Sequence, residues 1–249
     1  MYLTSKHLKN VLDYKICIPS KGRGGKVLTT KIFPNAFIYV PESEVSEYKM
    51  YKNVIGVPNE IKGITATRNY ILKTNNCNIL FIDDDLQYGG WIKKDSEKYK
   101  VVRFTKEEEY LTEFEKLWQL TQELNYNIWG LFTVGNNLTQ YSYQPLILHG
   151  VVLGSCMGII NDGTYYFDER YKVKEDYELS MRHLKEKNGI LRANYIFMQH
   201  EHQKMSGGFK DTNRIEKEKQ ALKMLLNEYP GWIKEAKHRG SDFAIQLNY

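Results

Sequence analysis

The sequence predicts an α/β fold, with a mainly parallel, Rossmann-like sheet flanked by helices in a single domain. Along the first half of the chain, short apolar segments alternate with segments of helical periodicity. The short segments are apolar at nearly every position, which is typical of strands in a parallel sheet that is covered on both faces. The chain has 249 residues and shows no internal repeat, low-complexity segment or linker. One large domain over residues 1–249 therefore accounts for all of it.

The first half contains four predicted strands and one predicted helix. A glycine-rich turn follows the first strand, and prolines end the second and third, as is common where strands stop. The helix follows the third strand and directs Ile64, Ile71 and Leu72 inward. In chain order the elements are the strands Tyr14–Pro19, Ala36–Val40 and Asn53–Val57, the helix Ile64–Leu72 and the strand Asn78–Ile82.

The second half contains three predicted helices and further strands. The helix Glu107–Leu124 has apolar residues at helical spacing and acidic residues in its first turn. Asn161-Asp162-Gly163 predicts a hairpin turn into Tyr165–Phe167. The remaining elements are the strands Ile128–Val134, Val151–Ile160 and Ala193–Met198 and the helices Glu175–Lys187 and Arg214–Glu228. These elements divide the chain into a first part over about 14–90, a second over about 125–212 and a C-terminal helix over 213–229.

Composition favours a soluble, cytoplasmic protein. The formal net charge is +5 and the pI is about 8.8, without a long basic arm, so a polyanionic partner is permitted but not required. Cys17, Cys77 and Cys156 lie in or beside apolar runs without metal-ligand spacing, which indicates reduced core thiols. Neither a signal-peptide core nor a long apolar stretch is present, so we expect no membrane partner.

Three consecutive aspartates, Asp83-Asp84-Asp85, follow the apolar strand Asn78–Ile82. Ligands of open α/β sheets bind at the carboxyl ends of strands, and adjacent carboxylates repel one another unless a cation neutralises them. Chain alternation puts Asp83 and Asp85 on one side, which suits a divalent metal carrying a diphosphate. A solvated acidic turn is the alternative. A P-loop ATPase is disfavoured because Gly25-Lys26 is followed by Val27 instead of Ser or Thr.

Glu175-Asp176 stands in the first turn of a predicted helix. Acidic residues are ordinary there, because the helix dipole favours them. The same dipole keeps a carboxylate ionised and oriented, which suits a general base that deprotonates a hydroxyl. The sequence leaves these two interpretations open.

Two arginines and two histidines are further candidates. Arg23 lies in the glycine-rich turn and Arg68 opens a helix, and either guanidinium suits phosphate binding or is simply a surface group. His200 and His202 follow a strand on one side of the chain, so that one of them is a candidate to complete the metal site of Asp85. The stretch Lys204–Phe209 predicts either a mobile loop over a diphosphate or a plain connector.

Taken in order, these segments resemble the GT-A glycosyltransferases, particularly their family 2-like branch. The resemblance covers about residues 14 to 205 and rests on Ile18-Pro19-Ser20, Thr67-Arg68-Asn69, Ile82–Asp85 and Glu175-Asp176. Thr67 departs from the alanine usual in that branch. The resemblance implies that Pro19, Ser20, Arg23 and Arg68 line a nucleotide-sugar site. It further implies that Asp83 and Asp84 contact the nucleoside, Asp85 binds the metal and Asp176 is the base.

The segment Ile18–Arg23, read as Ile-Pro-Ser-x-x-Arg, also resembles the opening motif of the TET/JBP-associated glycosyltransferases. That family is linked to hypermodification of phage DNA bases. The resemblance implies a hydroxymethylpyrimidine in bacteriophage DNA as the acceptor. The host cytoplasm is then the expected location.

The combined expectation is a glycosyltransferase that depends on Mn²⁺ or Mg²⁺ and uses a nucleoside diphosphate sugar, with a UDP-sugar favoured. Residues of about 14–90 would hold the donor and those of about 125–212 the acceptor, in an inverting displacement. Three alternatives remain: a saccharide, lipid or protein acceptor, a nucleotidyltransferase, and a non-catalytic DNA-binding module. The last leaves the triple aspartate unexplained, because carboxylates repel phosphate.

Overall fold

The computed structural model describes residues 13–95, 98–132, 144–201, 213–236 and 245–248. Within these ranges it contains twelve strands and four α-helices. The strands are β1 (Tyr14–Pro19), β2 (Phe37–Pro41), β3 (Asn53–Val57), β4 (Asn78–Ile82), β5 (Leu86–Asp95), β6 (Lys98–Arg103), β7 (Ile128–Phe132), β8 (Leu146–Ile147), β9 (Cys156–Ile159), β10 (Leu191–His200), β11 (Ile233–Glu235) and β12 (Ile245–Leu247). The helices are α1 (Ile64–Thr74), α2 (Glu107–Glu123), α3 (Glu175–Lys187) and α4 (Arg214–Glu228).

The described strands form one large mixed sheet with the order β3-β2-β1-β4-β9-β7-β10-β5-β6. Strand β8 pairs with β10, while β11 and β12 pair separately. The four strands from β3 to β4 are parallel, as are β7 and β10. Strand β9 runs antiparallel to both β4 and β7, and the β5–β6 hairpin joins β10 antiparallel. The predicted fold class is confirmed, with the parallel character concentrated in the first half.

Helices cover both faces of the sheet. One face packs against α2 through Tyr110, Phe114, Leu117 and Trp118. The other face packs against α1, α3 and α4, whose apolar residues include Ile71, Leu179 and Leu225. Strands covered on both sides explain why the apolar segments of the sequence lack polar alternation. The carboxyl ends of β1 and β4 remain uncovered by these helices and open toward the same cavity.

Two predicted elements differ from the structure. The turn at Gly163 exists, with φ at 83°, but Tyr165–Phe167 is not a strand and the hairpin prediction was wrong. The side-chain amide of Asn69 hydrogen-bonds the backbone N–H and C=O of Phe167 and so replaces a strand partner. The strand predicted over Val151–Ile160 begins only at Cys156, because residues 151–155 form a loop that lines the cavity with Leu153, Gly154 and Ser155.

The β5–β6 hairpin was not predicted. Its strands carry several lysines, including Lys93, Lys94 and Lys100, and lack the apolar run of a buried strand. Their pairing at the end of the sheet leaves these lysines exposed. Cys17, Cys77 and Cys156 are free thiols, two of them buried, as expected. Among the described residues, no helix combines the length and apolar content that crossing a bilayer requires.

Candidate active site

A cavity of about 1750 Å³ lies at the carboxyl ends of the parallel strands. Ligand-binding pockets usually have volumes of about 300–1,000 Å³, so this cavity has room for two ligands side by side. It brings together eight of the predicted site residues, which are Pro19, Ser20, Arg23, Arg68, Asp83, Asp84, Asp85 and Asp176. His200 lies beside this group, as described next, whereas His202 and the stretch 204–209 are outside the described residues.

Asp83, Asp85 and His200 form a cluster that could hold a metal ion. One ligand atom from each lies within 4.8 Å of the others. Nδ1 of His200 is 3.1 Å from Oδ1 of Asp85, and the backbone N–H of Glu201 donates to the carbonyl of Asp85 at 3.0 Å. The end of β10 is thereby attached to the turn that follows β4. Two carboxylates and one imidazole fit a divalent cation such as Mn²⁺, whereas Mg²⁺ prefers oxygen ligands alone.

Asp84 lies beside this cluster without belonging to it, and it holds the loop after β1. Its Oδ2 accepts a hydrogen bond from Ser20 Oγ at 2.6 Å, and its Oδ1 pairs with Nη1 of Arg23. Burial raises the pKa of Asp84 to about 6, and the hydrogen bond from Ser20 and the charge of Arg23 oppose that rise. The hydroxyl of Tyr48 accepts the backbone N–H of Arg23 at 2.9 Å and lies 3.1 Å from Ser20 Oγ. Asp84 therefore fixes Ser20 and Arg23 at one wall of the cavity.

Arg68 is buried beneath the cavity and connects its two halves. Nη1 lies 2.6 Å from Oε1 of Glu175, while Nη2 donates to the carbonyl of Gly154 at 2.8 Å and lies 3.5 Å from Oδ1 of Asp83. Arg68 lies in the second turn of α1. This helix begins directly after Gly63, whose φ is 96°. Its guanidinium thus joins a candidate metal ligand to the start of α3.

Glu175 and Asp176 have different environments although they are neighbours. Glu175 is buried, and its pKa is raised by that burial and by the charge of Asp176, while Arg68 lowers it. Asp176 is half-buried and lines the cavity. Its Oδ2 accepts the N–H of Gly154 and its Oδ1 accepts the N–H of Tyr177, both at 2.9 Å. Each oxygen keeps a second lone pair, so that Asp176 can still accept a proton from a ligand.

Two further residues of the site, Thr29 and Gly154, are not marked by any motif in the sequence. Thr29 is buried, and its hydroxyl donates to the carbonyl of Asp83 at 2.5 Å and accepts the N–H of Leu86 at 3.1 Å, which shapes the triple-aspartate turn. Gly154 accepts a hydrogen bond from Arg68 with its carbonyl and donates one to Asp176 with its N–H. A Cβ at this position would overlap the guanidinium of Arg68. Neither residue stands in a motif, because each acts through contacts with residues far away in the chain.

Several solved structures have a similar fold. TarS 1–349 of S. aureus, solved in complex with UDP, has 13% identity and a TM-score of 0.45, with coverage of 86% of this chain and 66% of that one. This chain thus spans slightly less than two thirds of the TarS chain. A197 from STIV has 12% identity and a TM-score of 0.41, with coverage of 76% and 85%. The CMP:2-keto-3-deoxy-manno-octonic acid synthetase complexed with CTP has 9% identity and a TM-score of 0.41, with coverage of 86% and 99%.

No curated protein sequence matches the chain. Residues 14–208, however, match the sequence profile of the TET-associated glycosyltransferases. The match begins with β1 and includes the triple aspartate, Glu175-Asp176 and His200. Because it spans most of the chain, the protein belongs to the TET-associated glycosyltransferase family.

Proposed function

We propose that this glycosyltransferase transfers a sugar, with inversion, from a nucleoside diphosphate sugar to the hydroxyl of a 5-hydroxymethylpyrimidine in DNA. It does so with Mn²⁺ or Mg²⁺ bound by Asp83, Asp85 and His200. The observation that carries the proposal is the cluster of these three ligands, of which Asp83 and Asp85 line the same cavity as Asp176. A metal that holds a diphosphate and a base for a hydroxyl are the two parts that such a transfer requires.

The donor half of the cavity is lined by the loop after β1. Pro19, Ser20 and Arg23 lie there, with Arg23 held by Asp84. Nε of Arg23 and Nε of Arg68 are buried and have no hydrogen-bond partner among the described residues. A buried donor without a partner is costly, so a ligand oxygen that accepts from these atoms would be stabilising. We propose the nucleotide of the donor as that ligand and UDP-sugars as the first donors to test.

The chemical step needs charge neutralisation at the diphosphate and a proton acceptor at the hydroxyl. A divalent cation, when bound, neutralises the negative charge that develops on the departing diphosphate. Asp176 takes the proton of the acceptor hydroxyl as the new oxygen–carbon bond forms at the anomeric carbon. The bond from that carbon to the diphosphate oxygen breaks, and its electron pair leaves with the nucleoside diphosphate. Attack opposite the leaving group inverts the anomeric configuration.

The proposal of a DNA acceptor rests on the resemblance carried by Ile18–Arg23 and on the basic pI of about 8.8. The 5-substituent of a pyrimidine projects into the major groove of a duplex, and flipping of the base would bring it into the cavity. A cavity larger than one donor requires is consistent with an acceptor group inside it.

The experiment pairs a panel of nucleotide sugars with DNA that contains 5-hydroxymethylcytosine or 5-hydroxymethyluracil. We expect release of the nucleoside diphosphate and a gain of one sugar mass on the modified nucleoside, both abolished by EDTA and restored by Mn²⁺. The matched control is DNA with unmodified cytosine or thymine. Sugar transfer only to a saccharide, lipid or protein would refute the DNA acceptor, and full activity in EDTA would refute metal dependence.

A further inference from the structure

The balance of charge differs between the buried floor of the cavity and its rim. The floor is acidic in balance, because Asp84, Asp85 and Glu175 outnumber the buried guanidinium of Arg68. A second set of lining residues is basic and more exposed. We call this set the cationic wall, and it consists of Lys62, Lys172, Lys174, Arg214 and Lys217.

Three separate segments supply the cationic wall. Lys62 precedes α1, Lys172 and Lys174 precede α3, and Arg214 and Lys217 lie in the first turn of α4. Lys62, Lys172 and Arg214 are exposed, so their charges face solvent at the cavity mouth. Convergence of basic residues from three segments differs from a run of lysines on one helix, which is usually just a solvated face.

Among the described lining residues, the acidic Glu218 lies on the same side of the cavity as the cationic wall. Glu218 lies 2.8 Å from Lys174 and 3.6 Å from Arg214. In the described part of the chain, Lys62 and Lys172 make no ion pair, so the wall keeps an excess of positive charge. Arg214 and Lys217 in the first turn of α4 are also disfavoured by the helix dipole, which Glu216 in the same turn offsets only in part. A bound polyanion would relieve both the mutual repulsion and the unfavourable dipole interaction.

We infer that the cationic wall binds backbone phosphates of the acceptor DNA on either side of the target base. This inference rests on the proposed function for its choice of polyanion. The Lys and Arg side chains of the wall would hold phosphodiesters at the rim while the target base enters the cavity. Neither the metal cluster nor Asp176 has this role. The first turn of α3 carries Asp176 two residues after Lys174, so phosphates on the wall would lie near the reacting hydroxyl.

The test is DNA binding, measured without catalysis by the fluorescence anisotropy of a labelled oligonucleotide over a range of salt concentrations. We compare Lys172→Ala/Arg214→Ala with Lys219→Ala/Lys223→Ala, a matched pair of exposed lysines that α4 carries outside the cavity. The wall variant should bind roughly tenfold more weakly, and its log–log salt slope should fall by about 1.4–1.8, as expected for two lost phosphate contacts. The control variant should match the wild type.

A second variant, Lys62→Ala/Lys172→Ala, leaves α4 untouched and guards against local unfolding of that helix. UDP affinity is measured for all variants and should not change. Equal loss of UDP and DNA affinity would mean that the wall serves the donor diphosphate, which overturns the inference. Equal DNA affinity of the wall and control variants would overturn it as well. Failure of the wild type to glycosylate any DNA would instead refute the proposed function, and the two failures are therefore distinguishable.

Discussion

Nη1 of Arg68 lies 2.6 Å from Oε1 of Glu175, a residue 107 positions later in the chain. Both side chains are buried, and the guanidinium also contacts Gly154 and Asp83. Arg68 was predicted to line the nucleotide-sugar site, and it does line the cavity. Most of its hydrogen-bonding capacity is nevertheless directed at protein acceptors, and its buried Nε has no hydrogen-bond partner among the described residues.

Removal of Arg68 should destabilise the protein strongly. Arg68→Met leaves the carboxylate of Glu175 buried without its partner, and breaking a buried ion pair typically costs about 3–5 kcal/mol. The double variant Arg68→Met/Glu175→Gln should recover part of that loss, because the charge is then absent. Urea unfolding of the single and double variants measures both effects. Strictly additive losses would show that the two residues are not energetically coupled.

Gly154→Ala should reduce turnover at least tenfold. The new methyl group would overlap the guanidinium of Arg68, and the same residue donates its N–H to Asp176. A displacement of about 1 Å in the catalytic group is enough for a large rate effect. Val151→Ala is the matched control, since Val151 lies in the same loop but outside the cavity lining and its truncation should change turnover little. Similar turnover of the two variants would contradict the linking role of Gly154.

Asp85→Ala should abolish both metal binding and sugar transfer while the fold remains intact. The substitution removes one ligand of a three-residue cluster and no apolar core volume. Isothermal titration with Mn²⁺ and a transfer assay measure the two effects. Asp13→Asn, an exposed carboxylate at the start of β1, serves as the control. If Asp85→Ala still transfers sugar at the wild-type rate, the metal-dependent mechanism does not hold.

Asp176→Asn should lower turnover by about two orders of magnitude, since general-base catalysis typically contributes ~10²–10⁴-fold. Donor affinity should change little. Both carboxylate oxygens accept backbone N–H groups, so the amide also loses one hydrogen bond, and its stability should be measured alongside. Glu175 is an unsuitable internal control because of its ion pair with Arg68. Near-normal turnover of Asp176→Asn would assign the base to another group, and NMR of the anomeric product tests for inversion.

His183 should make the protein sensitive to mild acid. Its Nε2 accepts the N–H of Asn127 at 3.0 Å and its Nδ1 lies 2.7 Å from the carbonyl of Gly189, so the neutral imidazole is the form that fits. Burial lowers the pKa of His183 to about 4. Because the unfolded pKa is about 6.5, stability is fully present above pH 6.5 and is lost as the pH falls toward 4, by about 3 kcal/mol at most.

Chemical unfolding at several pH values measures this loss. His183→Gln keeps a hydrogen-bonding side chain but cannot titrate, so the free energy of unfolding should depend less on pH between 6.5 and 4. Equal pH dependence of the variant and the wild type would show that other groups are responsible.

Local patterns in the sequence determined the parallel strands, the four α-helices of the described residues and the residue types of the site. Apolar runs such as Asn78–Ile82 predict buried strands because every side chain on both faces must be apolar. The helix Arg214–Glu228 was predicted with its observed ends, and Asp83–Asp85 follows its strand as expected. These features depend only on residues that are close in the chain.

The tertiary structure decided which of these groups meet. His200 reaches Asp85 over 115 positions because β10 lies beside β5 in the sheet order, and Gly154 meets Asp176 because residues 151–155 form a loop instead of a strand. The amphipathic β5–β6 hairpin was not predicted because its exposed lysines interrupt the apolar run that indicates a buried strand. Sheet order and long-range contacts depend on how distant elements pack against one another. A pattern of neighbouring residues does not specify that packing.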